Sequence, residues 1–248
     1  MSVVARIGLM LYTVRAECAA DLAGTLRAVA AMGYEGVELF DLHGHSARQV
    51  RDWLDELGLV PAGRHAALPA LEGELDRLAA EGEVLGTRRV VLSWVEPPAT
   101  RGDAEATAER ISRIADESRR VGLELGFRNH DGELRQFEGR SLLDDLLELP
   151  LFLELDLGWA WWARVDPAEL LERTRGRVPL AHVKDFRSRG ERSFCPVGDG
   201  RVGYDRVAPA AVAAGVEWLL VEQDETDGPA LEAAERSLRA LRSMVAPS

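Results

Sequence analysis

The chain has few cysteines, few aromatic residues and no long apolar segment. Cys18 and Cys195 lie far apart and form no CxxC spacing, which argues against a disulfide framework and fits a reducing compartment. No apolar run approaches the roughly 20 residues that cross a bilayer. The first residues, MSVVARIGLMLYTVR, lack the pattern of a signal peptide. We therefore expect a cytoplasmic protein without a membrane partner.

Basic charge is also scarce. The chain has 42 acidic and 30 basic residues, which gives a formal net charge of −12 and a pI near 5.0. Because the arginines are spread out rather than clustered, no basic stripe is available to follow a phosphate backbone, and nucleic acid is not an expected partner. Lys184 is the only lysine. Either the coding is biased toward arginine, or this position needs a compact amine.

What the chain does have is a regular alternation of strand-like and helix-like segments over 248 residues. Apolar runs typical of strands lie near residues 5–11, 36–40, 59–65, 89–95, 123–129, 151–157, 178–184 and 216–222. Eight such units predict an α/β fold, a single-domain (β/α)8 TIM barrel that covers residues 1–248. The alternative is an open doubly wound sheet, whose dinucleotide-binding form has a glycine-rich first turn that LYTVR lacks.

Helix boundaries are marked at two places. Ser46 with Gln49 three residues later forms a capping-box pattern, and Gly58 is a typical helix stop. Asp166 followed by Pro167 predicts a second helix start, over about 168–176. In contrast, the glycines of the run PVGDG, residues 196–200, indicate a flexible turn or a movable lid.

Four polar residues stand at the ends of four successive apolar runs: His130, Asp156, His182 and Glu222. Their spacings of 26, 26 and 40 residues match a strand plus a return helix. Side chains at the carboxyl ends of neighbouring parallel strands meet at one edge of the barrel. Two imidazoles and two carboxylates are typical ligands of a divalent cation. An alternative for Asp156 is a helix cap.

Further polar residues follow the same logic. The remaining candidates at strand ends, expected to contact substrate, are Glu38, His65, Arg128, Asn129 and Trp159. Glu38 could instead cap a loop, and His65 could be a core histidine with satisfied hydrogen bonds. Trp159 could pack in the core or form the floor of a pocket by stacking on a sugar face.

These segments resemble the xylose-isomerase-like TIM-barrel family of sugar phosphate isomerases and epimerases. The matching pieces, in order between about residues 8 and 225, are LYTVR, GVEL, LHGHS, NHDGEL, ELDLGW, HVKD, PVGDGRVGYD and AGVEWLLVEQD. The resemblance implies one divalent cation, Mn²⁺, Mg²⁺, Zn²⁺ or Co²⁺, bound by Asp156, His182 and Glu222. His130 is a less certain fourth ligand. Where many members have a further glutamate ligand, this chain has Arg128.

The resemblance also implies a reaction. A cation-stabilised enediolate would form as an α-proton leaves a small sugar-like carbonyl substrate, giving isomerisation or epimerisation. Glu222, Lys184 and His130 are the expected catalytic groups, and a homo-oligomer is compatible with the sequence. Two alternatives stay open: a keto-sugar or keto-inositol dehydratase of the same family, and a non-catalytic ligand-binding barrel. An abasic-site endonuclease is disfavoured by the acidic charge and by only five histidines.

Overall fold

Eight parallel strands close into a barrel in the computed structural model, which describes residues 5–246. The strands of the chain are β1 (Arg6–Met10), β2 (Gly36–Leu39), β3 (Val60–Ala66), β4 (Arg89–Leu92), β5 (Glu124–Arg128), β6 (Phe152–Asp156), β7 (Leu180–Val183), β8 (Asp185–Phe186), β9 (Phe194–Cys195) and β10 (Trp218–Val221). The barrel order is β1-β10-β7-β6-β5-β4-β3-β2, while β8 and β9 form a separate antiparallel pair. The TIM-barrel prediction is confirmed, and the open sheet is excluded.

Helices follow the strands along the chain. They are α1 (Arg15–Met32), α2 (Ala47–Leu57), α3 (Leu68–Gly73), α4 (Leu75–Leu85), α5 (Arg101–Arg120), α6 (Leu142–Leu146), α7 (Leu157–Trp162), α8 (Pro167–Arg173), α9 (Tyr204–Ala214) and α10 (Ala230–Val245), with short 3-10 helices at Leu11–Val14 and Gly132–Leu134. Across residues 5–246, none of them combines the length and the apolar character that a membrane crossing requires.

The predicted helix starts and the stop at Gly58 are present, whereas α8 ends at Arg173 rather than near residue 176. The Ser46 hydroxyl accepts the N–H of Gln49, and the Gln49 side chain accepts the N–H of Ser46 in return. Gly58 ends α2 with a φ of 68°, in the left-handed region that favours glycine. Asp166 caps α8, whose first residue is Pro167. These local signals fix where the helices begin and end without any information from the barrel.

The floor of the barrel is packed with aromatic rings that need small neighbours. Trp218 and Phe152 belong to an apolar cluster inside the barrel. A Cβ atom at Gly36 would lie 2.6 Å from the Trp218 ring and 2.2 Å from the backbone oxygen of Val60. A Cβ at Gly126 would lie 2.2 Å from the Phe152 ring. Glycine is therefore required at these strand positions for close packing rather than for a turn.

The run PVGDG is anchored to the barrel by one buried carboxylate. Asp185, in β8, accepts the backbone N–H groups of Gly198, Gly200 and Val202 at 3.0–3.1 Å, and that of Phe186 at 2.9 Å. Four such bonds satisfy a carboxylate that is almost fully buried. The glycines thus let the chain wrap around Asp185, and the loop is held rather than loose.

We expect Gly36→Ala to lower the free energy of unfolding by about 1–3 kcal/mol, because the added methyl group overpacks the barrel floor. Gly73→Ala is the control, since a Cβ at Gly73 meets no atom within 4 Å. Urea unfolding of the two variants measures the difference. Equal stability of both variants would contradict the packing described here.

We expect Asp185→Ala to release residues 196–203, because four backbone N–H groups lose their acceptor. Hydrogen–deuterium exchange of peptides that cover this loop should accelerate at least about tenfold. Asp199→Ala is the matched control, because the Asp199 side chain lies on the same loop and its ion pair, among residues 5–246, is with the exposed Arg236. Unchanged exchange in Asp185→Ala would show that the anchor is unimportant.

Candidate functional site

A cavity of about 560 Å³ opens at the carboxyl ends of the barrel strands. Its wall includes Tyr12, His65, Arg128, His130, Trp159 and Glu222. This is the end of a TIM barrel where catalytic residues collect, and the volume suits a small molecule. The cavity therefore contains much of the set that was expected from strand ends.

Arg128 lies between two carboxylates at the bottom of the cavity. One of its terminal nitrogens is 2.7 Å from Asp156 Oδ2 and also 2.7 Å from Glu222 Oε2. Its other terminal nitrogen is 3.0 Å from His130 Nε2. Burial opposes the charge of the guanidinium, but Glu222 and Asp156 outweigh burial and raise its pKa. Arg128 thus stays a cation held among three site residues.

Lys184 supplies a second buried cation at the same place. Its Nζ lies 2.8 Å from Glu222 Oε2, 2.8 Å from Asp224 Oδ1 and 3.4 Å from Asp156 Oδ2. Burial lowers its pKa, yet the three carboxylates more than compensate and raise it. Asp224 was missed by sequence reasoning. It stands two residues after Glu222 in the run VEQD, and that spacing was the available signal.

His130 lies beside these cations as a neutral ring. Its Nε2 accepts a hydrogen bond from Arg128, while its buried Nδ1 has no hydrogen-bond partner in the structure. Burial, with the positive charges of Arg128 and Lys184, lowers the pKa of His130 to about 2. Its ring packs against Trp159, at 5.7 Å between centroids. His130 is thus placed next to Arg128 rather than grouped with Asp156, His182 and Glu222.

Below the cavity lies a closed group of four side chains, which we call the interior tetrad: Glu38, His65, Glu154 and His182. His182 Nε2 is 2.7 Å from Glu38 Oε2 and 3.2 Å from Glu154 Oε2. His65 Nε2 is 2.7 Å from Glu154 Oε2 and 3.2 Å from Glu38 Oε2. The two imidazole rings stack at 5.5 Å. All four residues are buried, and only His65 also reaches the cavity.

The charges of the tetrad reinforce one another. Burial lowers the pKa of His65, but Glu38 and Glu154 prevail and raise it to about 9. Burial also lowers the pKa of His182, but Glu154 and Glu222 outweigh burial and raise it. Sequence reasoning missed Glu154. In the strand FLELD it faces the same side as Asp156 because side chains alternate, and this was the signal that could have found it.

Asp156 and Asn129 have defined structural tasks. Asp156 Oδ1 accepts the N–H of Trp159 at 2.9 Å and so caps α7, while Oδ2 faces Arg128. Asn129 Oδ1 accepts the backbone N–H of Asp156 at 3.0 Å. The cap interpretation of Asp156 is therefore confirmed, and its second oxygen also contacts the cation at the bottom of the cavity. Asn129 is fully buried and positions the end of β6.

Two groups of side chains bring potential metal ligands to within 4.8 Å of one another: the interior tetrad, and Asp156 with His182 and Glu222. The second group does not fit a divalent cation as it stands. Arg128 donates hydrogen bonds to Asp156 Oδ2 and Glu222 Oε2, and Lys184 contacts the same Glu222 oxygen. Two fixed positive charges at this point replace the charge that a metal ion would bring.

The chain was compared with known proteins. Residues 26–244 match the family model described as xylose isomerase-like TIM barrel. No curated protein sequence is detectably similar. Among solved structures, the chain is similar to a sugar phosphate isomerase/epimerase from Parabacteroides distasonis, with 20% identity, a TM-score of 0.79, and coverage of 98% of this chain and 95% of that one.

Two further solved structures share the fold. A probable 3-DHS dehydratase from Bacillus anthracis has 15% identity, a TM-score of 0.77, and coverage of 95% of this chain and 98% of that one. The 3-keto-D-glucoside 4-epimerase from E. coli has 16% identity, a TM-score of 0.72, and coverage of 96% and 99%. The family model spans most of the barrel and its candidate site, and the chain therefore belongs to the xylose isomerase-like TIM-barrel family.

Proposed function

We propose that the chain is a sugar isomerase or epimerase, which moves a proton at the carbon next to the carbonyl group of a small polyhydroxy substrate. The observation that carries this proposal is the position of Glu222, a carboxylate at the cavity wall held against the cations of Arg128 and Lys184. A base and a positive charge side by side are what an enediolate-forming reaction requires.

Glu222 is the proposed base. Its contacts with Arg128, His182 and Lys184 all reach Oε2, which leaves Oε1 as the oxygen for a bound substrate. Burial opposes ionisation, but the same three cationic groups hold its pKa well below the usual value. Glu222 is thus a carboxylate at neutral pH, which is the protonation state that a base requires.

Arg128 and Lys184 are proposed to stabilise the negative charge that develops on the substrate oxygen. Both are fixed by carboxylates before substrate enters, so little reorganisation accompanies the charge shift. His130, a neutral ring on the same wall, is proposed to orient the guanidinium of Arg128 toward the substrate oxygens through its Nε2. No step in this scheme passes through a metal ion, because Arg128 and Lys184 already engage Asp156 and Glu222, two of the three ligands that the resemblance implies.

We expect Glu222→Gln to lose at least about 100-fold in the exchange of the substrate α-proton, because the amide cannot act as the base. The measurement is NMR detection of deuterium uptake from D2O into a panel of ketopentoses, ketohexoses and their phosphates. Glu225→Gln is the matched control, since Glu225 lines the same cavity but is exposed. Equal exchange by both variants would refute the role of Glu222.

The same panel separates the alternatives. Deuterium uptake together with a changed sugar configuration supports the proposal. Loss of water, seen as a new conjugated carbonyl absorbance, would replace it with a dehydratase. Tight binding of a sugar with no exchange in the wild-type protein would replace it with a ligand-binding barrel.

We expect Arg128→Lys to lower kcat by at least about tenfold while KM changes little, because a single ammonium cannot contact Asp156, Glu222 and His130 together as the two terminal nitrogens of the guanidinium do. A lower kcat with little change in KM would mean that Arg128 stabilises charge that develops in the transition state. Arg192→Lys is the control, since Arg192 lines the same cavity and is exposed. A raised KM with unchanged kcat would instead assign Arg128 to ground-state binding.

A further inference from the structure

The interior tetrad has the shape of a metal cage. Around the ring formed by His182 Nε2, Glu38 Oε2, His65 Nε2 and Glu154 Oε2, the successive distances are 2.7, 3.2, 2.7 and 3.2 Å. Imidazole and carboxylate alternate, and each ligand atom comes from a different barrel strand. The rigid sheet therefore fixes the four atoms with respect to one another.

These four distances can be compared with four of the six edges of a tetrahedral site. Zinc binds nitrogen and oxygen at about 2.0–2.1 Å, which places neighbouring ligand atoms about 3.3–3.4 Å apart. The 3.2 Å edges need almost no change, and the 2.7 Å edges need to open by about 0.6–0.7 Å. Rotation of the glutamate side chains supplies that movement without moving the strands.

Two independent features point to a ligand at the tetrad. Among residues 5–246, nothing donates a hydrogen bond to Glu38 Oε1 or Glu154 Oε1, although both atoms are buried, which is rare for carboxylates. His182 presents Nε2 to the tetrad while its Nδ1 is 2.8 Å from Glu222 Oε2. Histidines that bind metal through one nitrogen typically donate the other N–H to a carboxylate, which orients the ring.

The tetrad also differs in charge from the group above it. Arg128 and Lys184 contact Asp156 and Glu222. Within residues 5–246, the polar contacts of the two tetrad glutamates are made with the two imidazoles alone.

We propose that the interior tetrad is a structural site for one divalent transition metal ion of the zinc class, bound by Glu38, His65, Glu154 and His182. Four protein ligands leave no open coordination position, as is typical of structural rather than catalytic sites. Imidazole and carboxylate ligands suit Zn²⁺ and Co²⁺. The ion ties together β2, β3, β6 and β7 beneath the cavity, and the inference does not depend on the proposed reaction.

The test is titration of the chelator-treated full chain with Co²⁺, which gives intense visible absorption bands only in tetrahedral sites. We expect one Co²⁺ per chain with tetrahedral bands, and displacement of Co²⁺ by Zn²⁺. Glu154→Gln should weaken binding at least 100-fold. Asp156→Asn, two residues later on the same strand, should bind as the wild type does.

Stability gives a second readout if Glu154→Gln folds poorly. Zn²⁺ should raise the Tm of the wild type and of Asp156→Asn, and should leave the Tm of His65→Gln unchanged. The absence of Co²⁺ binding in the wild type would overturn the proposal, as would loss of binding in Asp156→Asn with retention in Glu154→Gln. Deuterium exchange measured on the same samples tests the proposed reaction separately.

Discussion

The interior of this barrel depends on the neutralisation of buried carboxylates. Glu38, Glu154, Asp156 and Glu222 all point into the barrel and are at most 3% exposed. An isolated buried charge is so unfavourable that it persists only with partners, and removal of one partner typically costs about 3–5 kcal/mol. The cations that satisfy these four groups therefore decide both the stability and the chemistry of the site.

The compensation is arranged at two levels along the barrel axis. At the lower level, imidazoles contact Glu38 and Glu154. At the upper level, Arg128 and Lys184 contact Asp156 and Glu222. His182 joins the levels, because its two ring nitrogens face Glu38 and Glu222. The resemblance places a glutamate where this chain has Arg128. That exchange removes a ligand and adds a fixed cation, which moves the best metal cage one layer down.

The sequence was sufficient to predict the barrel, because strand patterning and helix caps are local signals. Convergence of Asp156, His182 and Glu222 also followed from strand ends. The position of strand ends did not predict how deep each side chain lies within the barrel. Glu38 was expected to contact substrate, and the structure places it in the interior tetrad, outside the cavity wall. How far a strand-end side chain lies below the mouth depends on the tilt and stagger of all eight strands, which no single strand encodes.

Lys184, the only lysine of the chain, places a compact charge among three carboxylates. Its Nζ is shared by Asp156, Glu222 and Asp224 at 2.8–3.4 Å, so three carboxylates converge on a single point. A guanidinium instead spreads its charge over a plane: one terminal nitrogen of Arg128 contacts both Asp156 and Glu222, and the other contacts His130. The site contains both geometries: a planar cation that bridges, and a compact one on which three acids converge. Interchange of the two residue types would leave the net charge unchanged and disrupt both sets of contacts.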